Sequence, residues 1–267
     1  MKNILMTAFG GIPQKAVIIL ILTGIVQLTK AQAGSIVITK KNNAGTITRQ
    51  IDSSGSSIIW YFTKASTGWI STINYTKELP CPGTPTVYYA GQTYTTVQIG
   101  NQCWLKENIN AGVMIPSNQN QTNNGVIEKY CYNDDSTNCS AYGGLYQWNE
   151  AMQYSTAERT QGICPGGWHI PTIKEIDTLA ITVNQNANTL MTIGQDNGTT
   201  GFSALLAGFR NNYDDAYVGL GDCAGFWSST ESGTNDAYYM VLYFNDNTIY
   251  LDDYDIALGF SVRCVKN

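Results

Sequence analysis

Charged residues are scarce in this chain, and their scarcity limits what it can bind. Only 13% of the 267 residues are Asp, Glu, Lys or Arg, and the formal net charge is −5. Nucleic-acid binding needs clustered Lys and Arg to neutralise phosphates. The composition therefore argues against a nucleic-acid partner. The hydrophobic fraction of 43% is still enough for a globular core,.

Histidine and closely spaced cysteines are also lacking. His169 is the only histidine, and none of the seven cysteines forms a CxxC pair. Structural zinc sites usually take their ligands from close Cys or His pairs, so the sequence predicts no metal centre of this kind. Disulfide bonds are the better interpretation. The odd number of cysteines leaves one thiol over.

The N-terminal apolar run is too short for an ordinary membrane span. It covers 16–26, whereas a spanning helix needs roughly 20 apolar residues,. Lys2 and Lys15 precede it, and Ala31-Gln32-Ala33 offers small residues at the two positions that signal peptidase reads,. We interpret 1–33 as a signal peptide removed after Ala33, with a membrane anchor as the alternative. Cleavage predicts an exported protein, secreted or displayed on the cell surface, with no stable membrane span.

The remaining chain predicts a small β segment followed by one larger α+β domain. The segment, 34–80, contains strand-like runs at 35–39, 45–51, 57–62 and 69–75,. The larger domain, 81–267, begins with a hairpin over 86–99. Two helices are predicted in it, one over 144–152 and one over 172–184. Thr172 and Glu175 give the second helix a capping box.

Five motifs occur in order along the larger domain, and together they resemble one family. They are 97–108 (VQIGNQCWLKEN), 142–148 (YGGLYQW), 164–172 (CPGGWHIPT), 226–230 (FWSST) and 259–264 (GFSVRC). This set resembles the Fibrobacter succinogenes major paralogous domain, found in secreted and surface proteins of Bacteroidetes-like bacteria. No general activity is established for that family. The resemblance therefore implies a fold more firmly than a function.

The resemblance implies a C-type-lectin-like fold, as in formylglycine-generating enzymes. We expect two helices around a twisted antiparallel sheet, preceded by the small β segment. In such folds a helix-borne cysteine bonds to a cysteine on the last strand, which implies a Cys164–Cys264 disulfide. Cys131 and Cys139 flank a turn-rich stretch and suit a local bridge, and Cys81 could then bond to Cys103. Cys223 remains unpaired, as a buried small residue or as a reactive thiol.

A shift in composition near the C-terminus suggests a binding face. From 211 to 262 there is no Lys or Arg, but there are nine acidic residues and many Tyr, Asn, Ser and Thr. Tyrosine among short polar residues supplies rigid contact area at low entropic cost, as in antibody loops. A solvated acidic surface is the alternative. The predicted ligand-binding residues are Tyr238, Tyr239, Tyr243, Asn245, Asp246, Asn247, Tyr250 and Tyr254.

We accordingly predict a secreted or surface-displayed module that binds a glycan or protein ligand, without enzymatic activity or a cofactor. Oxygen-rich side chains on this face could hold Ca²⁺. Two other functions stay open: an enzyme related to formylglycine-type oxidases that uses Cys223, and a structural protein of the cell envelope. The oxidase would need a second cysteine near Cys223. We interpret His169, Trp168 and Trp227 as structural residues rather than catalytic or sugar-stacking ones.

Overall fold

The computed structural model describes residues 80–191 and 200–267 in full and, as backbone only, 26–31, 35–42, 45–52, 63–65 and 68–70. The chain forms two compact units, 1–56 and 57–267. Most of the predicted signal peptide and the predicted strand at 57–62 lie outside the described residues. So do 71–79, which include most of the predicted strand at 69–75.

The first unit contains a three-stranded antiparallel sheet in the order β1-β2-β3. Its strands are β1 Val26–Ala31, β2 Ser35–Asn42 and β3 Gly45–Asp52. The runs predicted at 35–39 and 45–51 fall within β2 and β3. β1 lies inside the range interpreted as a signal peptide, and the removal of that peptide stays a prediction.

The second unit carries the remaining strands and three short α-helices. The helices are α1 Ser136–Tyr142, α2 Trp148–Ala151 and α3 Ile173–Thr182. The strands, in chain order, are β4 Thr63–Ala65, β5 Gly68–Ile70, β6 Thr86–Tyr89, β7 Gln92–Ile99, β8 Gln102–Leu105, β9 Val113–Met114, β10 Glu128–Lys129, β11 Trp168–His169, β12 Ala207–Arg210, β13 Tyr217–Leu220, β14 Cys223–Glu231, β15 Asp236–Tyr243, β16 Tyr250–Asp255 and β17 Val265–Lys266.

Two five-stranded sheets organise the second unit, rather than the single sheet expected from the sequence. The first has the order β11-β17-β8-β7-β6 and the second the order β13-β12-β14-β15-β16. Within these two sheets, all pairings are antiparallel except β12 with β14, which is parallel. In the predicted hairpin of β6 and β7, Ala90 and Gly91 have φ of 48° and 83°, as a tight two-residue turn requires,. The architecture is mostly β with few helices, consistent with the α+β class.

Of the three described α-helices, α2 and α3 were expected from the sequence and α1 was not. In α3, the Thr172 side chain accepts from the Glu175 N–H and the Glu175 side chain accepts from the Thr172 N–H, so the predicted capping box is present. α2 lies within the predicted 144–152. The expected total of two helices is wrong, because the stretch taken as turns contains α1. Asp135 caps α1 by accepting from the N–H of Thr137, which stabilises a helix made of poor helix formers.

Three disulfides brace the second unit. They join Cys81 to Cys103, Cys131 to Cys139 and Cys164 to Cys264, with Cα–Cα distances of 5.6, 5.0 and 6.0 Å. These are the pairs given by the sequence analysis, and Cys223 is the free, buried cysteine. One expected detail is wrong: Cys164 lies in a turn before β11, not on a helix. Such bonds are typical of proteins that mature in an oxidising compartment.

Two clusters of buried side chains form most of the core. In one, α3 packs through Ile176 and Leu179 against strands of both sheets, including Val97 and Met240. The other surrounds Trp148, Trp168, Trp227 and Phe260 on the far side of the second sheet. Among the residues that the structure describes, no helix has the length and apolar content needed to cross a lipid bilayer.

A tyrosine-rich face on the second sheet

Five side chains share one face at the edge of the second sheet, and we call them the tyrosine face: Tyr239, Tyr243, Tyr250, Asp252 and Tyr254. In the register of β15 with β16, Tyr239 lies opposite Asp252 and Val241 lies opposite Tyr250. Directly opposed residues point to the same side of a sheet, and residues two apart in a strand share that side. Period-2 alternation therefore brings four tyrosines and one aspartate together.

The middle of the tyrosine face, at Tyr239, is anchored in the core. The Tyr239 ring stacks on Phe260, with centroids 4.7 Å apart and planes at 14°. Phe260 also contacts Trp227 edge-on at 4.7 Å. Gly225 makes this packing feasible, because a Cβ there would lie 2.4 Å from the Phe260 ring. Burial, followed by the charge of Asp252, raises the pKa of Tyr239 to about 12.

Both ends of the tyrosine face are open to solvent, with Tyr243 and Tyr250 towards one end and Tyr254 at the other. Tyr243, Tyr250 and Tyr254 are 44%, 40% and 45% exposed. The rings of Tyr243 and Tyr250 meet edge-to-face at 5.8 Å, which holds both in place,. The Tyr250 hydroxyl donates to Asp246 at 2.7 Å, and this hydrogen bond raises its pKa. The Tyr250 hydroxyl can still accept a hydrogen bond, and the hydroxyls of Tyr243 and Tyr254 can donate or accept one.

The other predicted site residues are distributed around the tyrosine face. Tyr238 lies on the opposite side of the sheet, because it follows the alternation of Met240 and not that of Tyr239. Asn245, Asp246 and Asn247 form the connection between β15 and β16. Asp246 accepts from the Thr248 N–H at 2.8 Å, and Asn247 accepts a hydrogen bond from the Asn188 side chain. Of these three connecting residues, Asn245 is the one whose side chain forms no hydrogen bond with the described residues.

Asp252 belongs to the tyrosine face although it is not among the predicted ligand-binding residues. It alternates with Tyr250 and Tyr254, so the period of two along 250–254 could have identified it. Asp253, its neighbour, lies opposite Tyr238 on the other side. The two adjacent carboxylates thus point to opposite faces of the sheet,.

Cys223 lies opposite Tyr243 in the β14–β15 register and is only 5% exposed. Burial, with a smaller contribution from the charge of Asp222, raises the pKa of its thiol to about 11. A nucleophilic cysteine requires the opposite shift, because the thiolate is the reactive form. The six other cysteines are bonded to one another.

The side chains of His169, Trp168 and Trp227 are all buried in the second unit. His169 is 1% exposed, with ring nitrogens 2.6 Å from Asn267 Oδ1 and 3.0 Å from Glu175 Oε2. Trp168 and Trp227 are 2% and 0% exposed within the core. Within the described ranges, no group of three or more His, Cys, Asp or Glu side chains is arranged to hold a metal ion.

The comparison with family models agrees with the family resemblance of the five sequence motifs. Residues 97–266 match the family model of the Fibrobacter succinogenes major domain, which is more than half of the 267-residue chain. No curated protein and no solved structure matches the chain. The matched range contains both disulfide-linked ends of the core, Cys164 and Cys264, and the entire tyrosine face. The chain therefore belongs to the Fibrobacter succinogenes major domain family.

Proposed function

We propose that this protein is an exported binding module whose tyrosine face engages a glycan or protein ligand. The observation that carries the proposal is the grouping of three exposed tyrosines, Tyr243, Tyr250 and Tyr254, on one rigid sheet face. Monomeric proteins usually leave large apolar rings exposed singly, whereas clustered rings mark interaction sites. Their hydroxyls add hydrogen-bonding capacity, which both glycans and proteins can use.

The charge around the tyrosine face restricts its ligand. Asp252 lies within the face, Asp246 lies beside Tyr250, and no Lys or Arg occurs from 211 to 262. Like charges across an interface are costly. The proposed ligand is therefore neutral or positively charged where it contacts the tyrosines.

Export and a C-type-lectin-like arrangement are parts of the same proposal. Three disulfides support passage through an oxidising compartment,. The Cys164–Cys264 bond supports the lectin-like arrangement, because it ties the segment before α3 to the chain beside β17. N-terminal sequencing of secreted protein tests the export step: we expect the mature chain to begin at Gly34, and a chain that still begins at Met1 would favour the anchor.

The binding experiment is a screen of immobilised glycans and of intact cells, with and without EDTA. We expect the wild type to bind and the Tyr243→Ala/Tyr250→Ala variant to bind at least tenfold more weakly, because aromatic anchors carry much of the energy of such interfaces. Tyr88→Ala is the matched control, since Tyr88 is 76% exposed but lies on β6 in the other sheet.

Each other outcome has a definite meaning. Equal binding by the wild type and the double variant would place the ligand elsewhere. Loss of binding in EDTA alone would require a bound cation. A thiol-oxidising activity that disappears in Cys223→Ser would replace the binding module with the oxidase-related enzyme.

A further inference from the structure

A polar cleft of about 330 Å³ opens on the second unit, and none of the residues of the tyrosine face lines it. Three segments and Asn235 form its walls. The segments are 120–121, the region of α2 from Gln147 to Tyr154, and 255–257 beyond β16. Gln147 comes from the YGGLYQW motif, which the tyrosine face does not use.

Two glutamines in the wall of the polar cleft, Gln121 and Gln147, fix each other's position through hydrogen bonds. The Gln121 N–H donates to Gln147 Oε1 at 3.0 Å, and the Gln147 N–H donates to Gln121 Oε1 at 2.7 Å. The Gln147 side chain also donates to Asn120 Oδ1 at 3.0 Å and to the Ala257 carbonyl at 3.1 Å. Both glutamines are 7% exposed. Their hydrogen bonds are made within the protein, so they position the wall but do not recognise a ligand.

Three asparagines at the rim, in contrast, have unused hydrogen-bonding capacity. The side chains of Asn149 and Asn235 and the Nδ2 of Asn120 form no hydrogen bond with the described residues, and all three residues are exposed. A primary amide offers one acceptor and a donor pair side by side. That arrangement complements a ligand whose groups both donate and accept, and hydroxyl groups do so.

The charges of the polar cleft exclude one class of ligand. Glu150 and Asp255 line it, and no Lys, Arg or His does. The Glu150 carboxylate already accepts from the Glu128 N–H at 2.9 Å and from the Tyr154 hydroxyl at 2.8 Å. Asp255 accepts from the Asn212 side chain and from the Ala257 N–H, both at 2.8 Å. An anionic ligand would meet two carboxylates and no compensating cation.

We propose that the polar cleft is a second binding site, which takes a neutral saccharide through hydroxyl contacts with Asn120, Asn149 and Asn235. Its volume lies at the lower end of the roughly 300–1,000 Å³ typical of small-ligand sites, so it accommodates a short saccharide unit. The carboxylates accept from further hydroxyls and disfavour acidic sugars. This site does not depend on the proposed role of the tyrosine face.

Isothermal titration calorimetry on the full chain tests the site. The probes are the neutral maltotriose, mannotriose and chitotriose, the acidic trigalacturonate and the cationic spermidine. We expect a neutral trisaccharide to bind, with and without EDTA, and the Asn149→Ala/Asn235→Ala variant to bind about tenfold more weakly, because each lost hydrogen bond contributes a few-fold. Asn101→Ala, an exposed asparagine outside the cleft, should bind like the wild type.

The variant of the tyrosine face separates this inference from the proposed function. Tyr243→Ala/Tyr250→Ala should keep full saccharide affinity if the cleft is the site. Loss of affinity in that variant, with Asn149→Ala/Asn235→Ala unaffected, would assign the saccharide to the tyrosine face and overturn the inference. Absence of binding to all three neutral probes would overturn it as well. Tighter binding of trigalacturonate or spermidine would do the same.

Discussion

At the scale of single residues, the Glu175 carboxylate has several hydrogen-bond partners. It accepts from Arg159 at 2.7 Å, from the Thr172 N–H at 2.9 Å and from the Thr172 hydroxyl at 3.0 Å, and it contacts buried His169 at 3.0 Å. Burial acts to raise its pKa, but the hydrogen bonds from His169 and Thr172 and the charge of His169 outweigh burial. The pKa is lowered from 4.5 to about 2.

A depressed carboxylate pKa stabilises the folded state above the unfolded pKa and loses that contribution as the pH falls. Glu175 should therefore stabilise the fold above about pH 4.5 and cease to do so near pH 2. We expect Glu175→Gln to lower the free energy of unfolding by about 1–2 kcal/mol at pH 7, since its side chain is 18% exposed,. The difference should shrink towards pH 2. Urea denaturation at several pH values measures it, with exposed Glu231→Gln as control; a pH-independent difference would contradict the prediction.

Arg263 is a buried cation whose partners are mostly neutral. It donates to Asn108 Oδ1 and to the carbonyls of Leu105 and Phe202, and its guanidinium lies 4.6 Å from the centroid of the Phe202 ring. Burial lowers its pKa to about 9. The planar fork joins segments that are distant in sequence, which explains the arginine of the GFSVRC motif in structural terms.

Lysine cannot reproduce that fork. We expect Arg263→Lys to lower the free energy of unfolding by about 3 kcal/mol, because a buried charge would lose hydrogen bonds while staying buried. Arg159→Lys is the matched control, since the Arg159 side chain is 53% exposed. Chemical denaturation compares the two variants. Similar losses for both would show that the fork contributes little.

At the scale of elements, β14 depends on a glycine near its start, Gly225. Phe260 packs against Gly225 and carries the stack that supports Tyr239. Gly225→Ala would force the Phe260 ring to move, and we expect a loss of about 1–3 kcal/mol of stability. Gly233→Ala controls for glycine replacement, because its nearest neighbouring atom lies 3.8 Å from the added Cβ. Thermal unfolding and the near-UV aromatic signal measure the effect; unchanged values in both would contradict it.

The elements also show what sequence can and cannot predict here. α3 was predictable, because Thr172 and Glu175 mark its start and Ile176, Leu179 and Ala180 form its apolar stripe. α1 was not, since its residues favour turns and the Asp135 cap is a local signal that turns share with helices,. The tyrosine face was predictable in composition but not in membership. Tyr238 was expected on the face and lies on the other side, whereas Asp252 was not expected there and belongs to it. Strand boundaries, and hence the alternation of side chains, become definite only in the folded sheet.

The polar cleft could not have been predicted at all. Its walls combine Asn120, Gln147, Asn235 and Asp255, which come together only through tertiary packing, and no local pattern marks an asparagine whose amide will be left without a partner. The disulfide pairs were easier, because the family resemblance implied Cys164–Cys264 and the turn-rich stretch between Cys131 and Cys139 suited a local bridge.

At the scale of the whole molecule, the disulfides differ in the length of chain that they close. Cys164–Cys264 spans 100 residues and Cys131–Cys139 spans 8. The chain-entropy estimate gives the longer loop about 2 kcal/mol more stabilisation. We expect Cys164→Ser/Cys264→Ser to be less stable than Cys131→Ser/Cys139→Ser by about that amount in guanidinium denaturation. Equal losses would indicate that native-state packing, and not loop length, sets the contribution of each bond.

The position of β17 between β11 and β8 has a consequence for the rate of folding. Val265 pairs with Trp104 and also takes part in the pairing with His169, so the centre of the first sheet is closed by segments far apart in the chain. The hairpins β6–β7–β8 and β14–β15–β16 need only local encounters and can form early. Closure of the first sheet must wait for a long-range search, and topologies rich in such contacts fold slowly. The β15–β16 hairpin, which carries the tyrosine face, should therefore acquire its backbone structure well before the core beneath it is complete.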